Sequence, residues 1–194
     1  GDVGLQLDGA AGSYGYYSGS ASYGGTVGDA DFLAGLQHMT YDGYRDNSAT
    51  EATTAYATAG WYMSDTDTLT VRASGGKSYI EFPGSLSYQQ MQDDPTQSSN
   101  LGDEYSDARS GQATLLYETE RSWGAGRMNA GASFINRENT ISGIYNQNDL
   151  QGISLAPRAR FGAEDTFWMA GLDVFYDLLD QENYLDESRD IVKS

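Results

Sequence analysis

The chain of 194 residues lacks cysteine and contains a single histidine, His38. Without cysteine it can form no disulfide bridge, no cysteine-ligated zinc or iron–sulfur centre and no catalytic thiol. One histidine cannot supply a two-histidine metal motif, so we expect neither a metal site nor a cofactor. Basic residues are scarce as well, since 11 Lys and Arg stand against 28 Asp and Glu and the net charge is −17. Nucleic-acid binding needs clustered cations for the phosphates, so we expect no nucleic-acid partner.

Long apolar runs are also missing, because no stretch approaches the ~18–20 consecutive apolar residues of a membrane-spanning helix. Hydrophobic residues make up 39% of the chain, which is below the ~45–50% of an average soluble domain. Tyrosine and glycine are abundant, with 15 and 24 residues. This mixture is typical of a transmembrane β-barrel, in which only one face of each strand meets lipid.

Apolar and polar residues alternate with a period of two through much of the chain, which predicts β-strands. In Leu69–Gly75 the odd positions are apolar and the even positions are polar. Clear alternation recurs over residues 113–120, 127–137, 153–161 and 168–177, with weaker runs over 3–9, 17–25, 32–41 and 55–63. The pattern predicts nine strands. Pro157 has no N–H to donate, so we expect it to interrupt the ladder or mark a bulge.

The predicted connections alternate between short turns and long polar loops. The short turns fall at residues 28–30, 64–67, 123–126 and 162–165, and the long polar connections span 42–54, 83–110 and 138–151. A row of hairpins in a membrane shows this alternation, with short turns on one side and long loops on the other. Trp61, Trp123 and Trp168 lie beside short turns, where an aromatic girdle meets the membrane surface.

These features predict an all-β fold, an antiparallel up-and-down transmembrane β-barrel. Nine is an odd number of strands, and the polar segment 186–194 does not resemble a closing strand. We therefore expect residues 1–194 to be one partial barrel domain, about nine strands of a larger barrel. The alternative is a soluble or secreted β-sandwich, an adhesin-like module that binds carbohydrate through tyrosine and glycine.

Three motifs carry a resemblance to a known family. They are the segment 12–25 with its Gly-Ser-Tyr-Gly-Tyr opening, the run Asp-Gly-Tyr-Arg-Asp-Asn-Ser at 42–48, and the pair Phe-Pro-Gly-Ser-Leu at 82–86 with Asp-Asp-Pro at 93–95 and Gln-Ser-Ser at 97–99. In this order and spacing they resemble the first strands and loops of a TonB-dependent outer-membrane receptor. The resemblance covers roughly residues 1–120.

The resemblance implies a barrel of about 22 strands with an N-terminal plug, of which this chain holds neither the plug nor the closing strand. It also implies an outer membrane of a Gram-negative bacterium, energised uptake of a scarce nutrient, most often a ferric siderophore, and no enzymatic activity. The implied partners are that nutrient, outer-membrane lipid and lipopolysaccharide, and the plug and inner-membrane energy transducer, which are absent from this chain.

Two groups of candidate residues follow. The first group lies in predicted loops and consists of Tyr41, Tyr44, Arg45 and Tyr88. Tyrosine and arginine can together hold a negatively charged ferric chelate. The alternative is that the tyrosines belong to the aromatic girdle and that Arg45 pairs with a neighbouring acid or a lipid phosphate. Six charged residues lie on the polar faces of their strands and are predicted to face the lumen: Arg72, Glu118, Glu120, Arg127, Arg158 and Arg160. We predict no catalytic residue.

Overall fold

A computed structural model describes residues 4–99, 104–163 and 166–185. These residues form ten β-strands and one short helix in the order β1 to β5, α1, β6 to β10. The strands are β1 Gly4–Ala11, β2 Tyr17–Val27, β3 Ala30–Tyr41, β4 Thr50–Ser64, β5 Asp67–Glu81, β6 Tyr105–Arg121, β7 Gly124–Ile141, β8 Ile144–Ala163, β9 Thr166–Gly171 and β10 Val174–Leu185, and the helix is α1 Tyr88–Asp93.

All ten strands belong to one antiparallel sheet in which each strand from β1 to β8 pairs with the next one along the chain. β9 and β10 both pair with β8. The predicted all-β, up-and-down antiparallel architecture is confirmed. Within the described part of the chain the sheet is open, with β1 at one edge and β10 at the other.

β9 and β10 continue each other in a single register along β8. Arg158 pairs with Gly171 and Leu155 pairs with Val174, so the paired residue numbers have the same sum across the break. The break lies opposite Pro157, whose carbonyl accepts a hydrogen bond from the Leu172 N–H at 3.1 Å. The return bond would need a Pro157 N–H, which proline lacks. The expected interruption is present without a bulge, and the ten segments amount to nine strands.

One predicted connection is wrong. Residues 138–151 form no long loop, because β7 runs to Ile141, β8 begins at Ile144, and only Ser142 and Gly143 lie between them. Both turn residues have positive φ, 54° and 77°, as a two-residue type I′ hairpin turn requires. The long connections 42–49 and 82–99 lie at the same end of the sheet as this turn.

No hydrophobic side chain among the described residues is buried, so this part of the chain has no hydrophobic core. A β-sandwich buries one face of each sheet against a second layer, and the described residues form a single layer. None of the helices in the described ranges is long and apolar enough to cross a lipid bilayer.

Candidate functional site

One face of the sheet is apolar across all strands, and the strand register makes it continuous. Val71 pairs with Ala59 and Leu115, and Leu155 pairs with Ala130 and Val174, so these side chains project to the same side. The set extends from β1 to β10 through Leu5, Leu7, Tyr23, Phe32, Leu36, Trp61, Leu69, Tyr117, Met128, Ile153, Phe161, Trp168 and Tyr176. We call these residues the apolar band. Val71 and Leu155 are each 42% exposed.

Charged residues limit the apolar band at both ends. On β6, Leu115 lies midway between Arg109 and Arg121, six positions from each, and all three project to the same face. At ~3.4 Å per residue and a tilt of ~40°, the two arginines are ~31 Å apart along the membrane normal. The hydrocarbon core of a bilayer is ~30 Å thick. The band therefore has the height of a membrane.

At the end with the short turns, Asp67 and Arg121 form the centre of a polar network just below the apolar band. Arg121 Nη2 donates to both carboxylate oxygens of Asp67, at 2.7 and 3.0 Å. The hydroxyls of Tyr117 and Thr119 donate to Oδ1 of Asp67 at 2.6 and 2.7 Å. This ion pair links the first residue of β5 to the last residue of β6, and sequence reasoning did not find it.

The six residues predicted to face a lumen lie on the other face of the sheet. Arg72 pairs with Thr58 and Thr114. The remaining five residues lie near the short turns. There, one row of directly opposed residues consists of Glu118, Arg127 and Arg158, and the next row consists of Glu120, Ala125 and Arg160. The five residues near the turns border a groove of about 620 Å³, and Arg72 lies outside it.

Four of these six residues, Glu118, Arg127, Arg158 and Arg160, have partners among the described residues. Arg127 Nε lies 3.7 Å from a Glu118 carboxylate oxygen, and Arg158 Nη2 donates to both oxygens of Asp173, at 2.9 and 3.0 Å. The Arg160 guanidinium lies 5.8 Å from the centre of the Phe167 ring, within the range of a cation–π contact. Glu118 thereby balances the charge of Arg127, which lies directly opposite the cation Arg158 on β8.

At the opposite end, Arg45 joins two long loops. Its guanidinium donates to the carbonyl oxygens of Gly84 at 2.7 Å, Pro83 at 3.0 Å and Gln97, the last from both Nε and Nη2. Asn47 Nδ2 adds a bond to the Phe82 carbonyl at 2.9 Å. Four of the five N–H groups of Arg45 thus donate to backbone carbonyls. In this structure Arg45 orders the loops, and it has little capacity left to contact a ligand.

The first loop belongs to the same cluster. The Asp42 N–H donates to the Tyr14 carbonyl at 3.1 Å, and the Tyr14 and Tyr44 rings meet edge to face with their centres 5.4 Å apart. Tyr41 makes a similar, wider contact with Tyr16 at 6.5 Å. All three motifs that carry the resemblance therefore meet. We call the segments 12–16, 42–49 and 82–99 the loop cluster.

Tyr88 is the most exposed of the predicted binding residues. It begins α1 and is 76% exposed. The helix starts with a capping box, in which the Ser87 hydroxyl accepts from the Gln90 N–H and the Gln90 side chain accepts from the Ser87 N–H. The spacing of a serine and a glutamine three residues later was the available signal for this helix.

One acidic residue of the loop cluster, Asp94, has hydrogen-bond donors beside it in the chain. The Thr96 hydroxyl and N–H donate to Asp94 Oδ1, at 2.6 and 2.8 Å. These bonds favour the charged carboxylate and lower the pKa of Asp94 below its ordinary value of 3.8. Within the described ranges no three acidic or histidine side chains are arranged to hold a metal ion. Asp103, another acid of this loop, lies outside the described residues.

Known structures share this fold. The chain is similar to the ferric citrate transporter FecA in its unliganded form, with 15% identity and a TM-score of 0.69 over 94% of this chain and 30% of that chain. It is also similar to the ferric-catecholate import receptor Fiu from E. coli K12 in its closed form, with 13% identity and a TM-score of 0.67 over 94% of this chain and 32% of that chain. The chain spans about a third of the length of either structure.

No family model matches the chain, and no curated protein matches its sequence. At such low identity the likeness establishes the fold. The resemblance stated from the loop motifs is thereby confirmed at the level of the fold: the described residues form an antiparallel up-and-down sheet like part of the FecA and Fiu structures.

Proposed function

We propose that this chain is part of the β-barrel of an outer-membrane receptor that imports a scarce nutrient into a Gram-negative cell. The observation that carries the proposal is the apolar band, which is continuous from β1 to β10 and has the ~31 Å height worked out above for β6. Such a face requires lipid as its solvent. If it stayed in water, the apolar surface would lose the favourable free energy of transfer to an apolar environment.

The orientation in the membrane follows from the loops. Short turns mark the periplasmic side of bacterial barrels, and long loops mark the cell exterior. The loop cluster therefore lies outside the cell, and the face opposite the apolar band lines the lumen. Arg72, Glu118, Glu120, Arg127, Arg158 and Arg160 are then lumen residues.

We assign ligand contact to three of the four predicted residues. Tyr41, Tyr44 and Tyr88 present aromatic rings at the loop end of the sheet. Arg45 is a positioning residue for the loops that carry these rings, because its hydrogen bonds hold loop 82–99 against loop 42–49. Aromatic faces and hydroxyls suit a ferric siderophore, whose ligand arms are flat and rich in oxygen.

Residues 1–194 form one partial barrel domain in this proposal. β1 and β10 each pair with one neighbour among the described residues, and a membrane barrel tolerates no unpaired edge. Further strands of the same pattern close the barrel. Uptake against a gradient needs a plug and an inner-membrane energy transducer as partners. At the cell surface, the charged loops contact lipopolysaccharide. Within this role the chain performs binding and transport, and no catalysis.

A soluble carbohydrate-binding sandwich has no supporting observation, because the described strands form one layer without a buried hydrophobic side chain. The two proposals differ in where the protein is found.

The test uses the native bacterium. Its membranes are fractionated, and the protein that contains this chain is followed by immunoblot. The gene is then deleted, and uptake of radioactive iron is measured with a panel of ferric siderophores, with and without an uncoupler of the proton gradient. We expect the protein in the outer membrane and the loss of energised uptake of one chelate. Recovery in the soluble fraction would contradict the barrel, and unchanged uptake of every chelate would contradict the siderophore assignment.

A further inference from the structure

Where β7, β8 and β10 extend beyond the apolar band, the carboxylates all lie on one face of the sheet. Glu138, Asp149, Asp180 and Glu182 project to the same face as the band. On the opposite face, at the same height, lie Arg137, Asn139, Asn146, Asn148, Gln181 and Asn183. We call these six residues the amide strip. In a chain with a net charge of −17, a surface of this size without a carboxylate indicates that negative charge is excluded from it.

The register places the members of the amide strip beside one another. Arg137 is directly opposed to Asn148, and Asn139 to Asn146. Asn146 is in turn opposed to Asn183 on β10. Asn148 Nδ2 donates to Asn146 Oδ1, and Asn146 Nδ2 donates to Asn183 Oδ1. Each amide nitrogen carries two hydrogens, so one N–H of Asn146 and one of Asn148 remain available.

Arg137 is an exposed cation without an ion pair among the described residues. Its acidic neighbour along the strand, Glu138, projects to the other face. Arg121, Arg127 and Arg158 all have carboxylate partners in the same sheet. The guanidinium of Arg137 therefore offers its forked donors to the space above the amide strip.

Apolar side chains border the amide strip on two sides. Ile135, Leu150 and Leu179 occupy the next row toward the membrane. Ile141 and Ile144 flank the turn on the outer side. A ligand seated here would meet hydrogen-bond donors along the centre and apolar contacts at both margins.

We propose that the amide strip binds an anionic iron chelate through its chelating oxygens, with Arg137 supplying the charge and the carboxamides supplying N–H donors. Arginine and amide N–H groups recognise carboxylate or catecholate oxygen in the same way, and the absence of carboxylates removes the repulsion that would reject such a ligand. This inference rests on the proposed function, because it takes the strip to face the lumen at the extracellular mouth.

The test is made on the full-length receptor that contains this chain, purified in detergent. Binding of ferric citrate, a ferric tris-catecholate and an uncharged ferric trihydroxamate is titrated by tryptophan fluorescence. Arg137→Gln removes the charge from the strip. The matched control is Arg109→Gln, the same change on the neighbouring strand but on the outer face. Arg137→Lys restores charge without the fork.

For whichever anionic chelate binds, we expect Arg137→Gln to weaken binding by ~10-fold or more, since a charge-assisted pair is lost. Arg109→Gln should leave binding within ~2-fold, and Arg137→Lys should recover part of the loss. Equal effects of Arg137→Gln and Arg109→Gln would overturn the inference. A receptor that binds only the uncharged trihydroxamate would also overturn the inference, although the proposed function would stand. A receptor that binds no ferric chelate would overturn both.

A second pair of variants covers the case in which Arg137→Gln is poorly folded. Asn148→Asp adds a carboxylate to the amide strip, and Gln147→Glu adds one to the adjacent position on the outer face. Asn148→Asp should weaken binding of the anionic chelate, whereas Gln147→Glu should not. Equal binding by the two variants would contradict the inference.

Discussion

Adjacent leucines on β6 offer a sharp test of which face meets lipid. Leu115 lies in the apolar band, whereas Leu116 projects to the opposite face, where it pairs with Thr70 and Asn129. Leu115 is six positions from both Arg109 and Arg121, which places it ~15 Å from either edge of the band at ~3.4 Å per residue and a tilt of ~40°. The proposed function therefore places Leu115 at the bilayer midplane.

An arginine at the midplane of the lipid face of a barrel costs ~2–4 kcal/mol. We expect Leu115→Arg to lower the free energy of unfolding of the receptor by that amount, a change of roughly 30- to 700-fold in the folding equilibrium. Leu116→Arg enters a polar, hydrated face, and its cost should stay below ~1 kcal/mol. The assay is equilibrium unfolding by guanidinium in phospholipid vesicles, followed by tryptophan fluorescence. An equal or larger cost for Leu116→Arg would refute the assignment of the faces.

Three further predictions concern single residues. Arg45→Lys replaces a four-bond clamp by a single ammonium, so limited proteolysis within residues 82–99 should accelerate by ~10-fold or more while barrel unfolding is unchanged; an unaltered cleavage rate would contradict the clamp. Hydrogen bonds from Thr96 lower the pKa of Asp94 below 3.8. The carboxylate should therefore stay charged above that pH and lose these hydrogen bonds only as the pH falls through the lower native pKa. Carboxyl NMR titration should show a higher pKa for Asp94 in Thr96→Val. Pro157→Ala supplies the missing N–H opposite Leu172, so the new amide should be protected from hydrogen exchange, whereas rapid exchange would show that the ladder is broken for another reason.

The alternation of side chains was sufficient to predict most of the sheet. In β5 and β8 one face is apolar and the other is polar, so Val71 and Leu155 stand out from Thr70 and Ser154 beside them. The signal is lost where both faces are polar. Residues 138–151 are mostly polar on both faces, with Glu138 and Asn139 adjacent, and they were therefore interpreted as a loop. The Ser142-Gly143 dipeptide was a turn signal that could have divided them into two strands.

The candidate site was predictable in outline only. The three loop motifs were found in the sequence, and the register brings their loops to one end of the sheet. The role of Arg45 could not be predicted from the sequence. It donates to the backbone carbonyls of Pro83, Gly84 and Gln97, and because every residue has such a carbonyl, no residue type marks these partners. The Asp67–Arg121 pair was hidden for a similar reason, since the two residues are 54 positions apart and meet only through the register of β5 and β6.

The central claim is that the apolar face touches hydrocarbon. Single cysteines at positions 155 and 154, neighbours on opposite faces of β8, can carry spin labels, because this chain has no cysteine and any cysteine elsewhere in the receptor is replaced by serine. Collision rates with oxygen, which concentrates in lipid, and with a water-soluble nickel complex are then measured in vesicles. We predict that oxygen dominates at 155 and nickel at 154. Nickel access at both positions would contradict the membrane barrel.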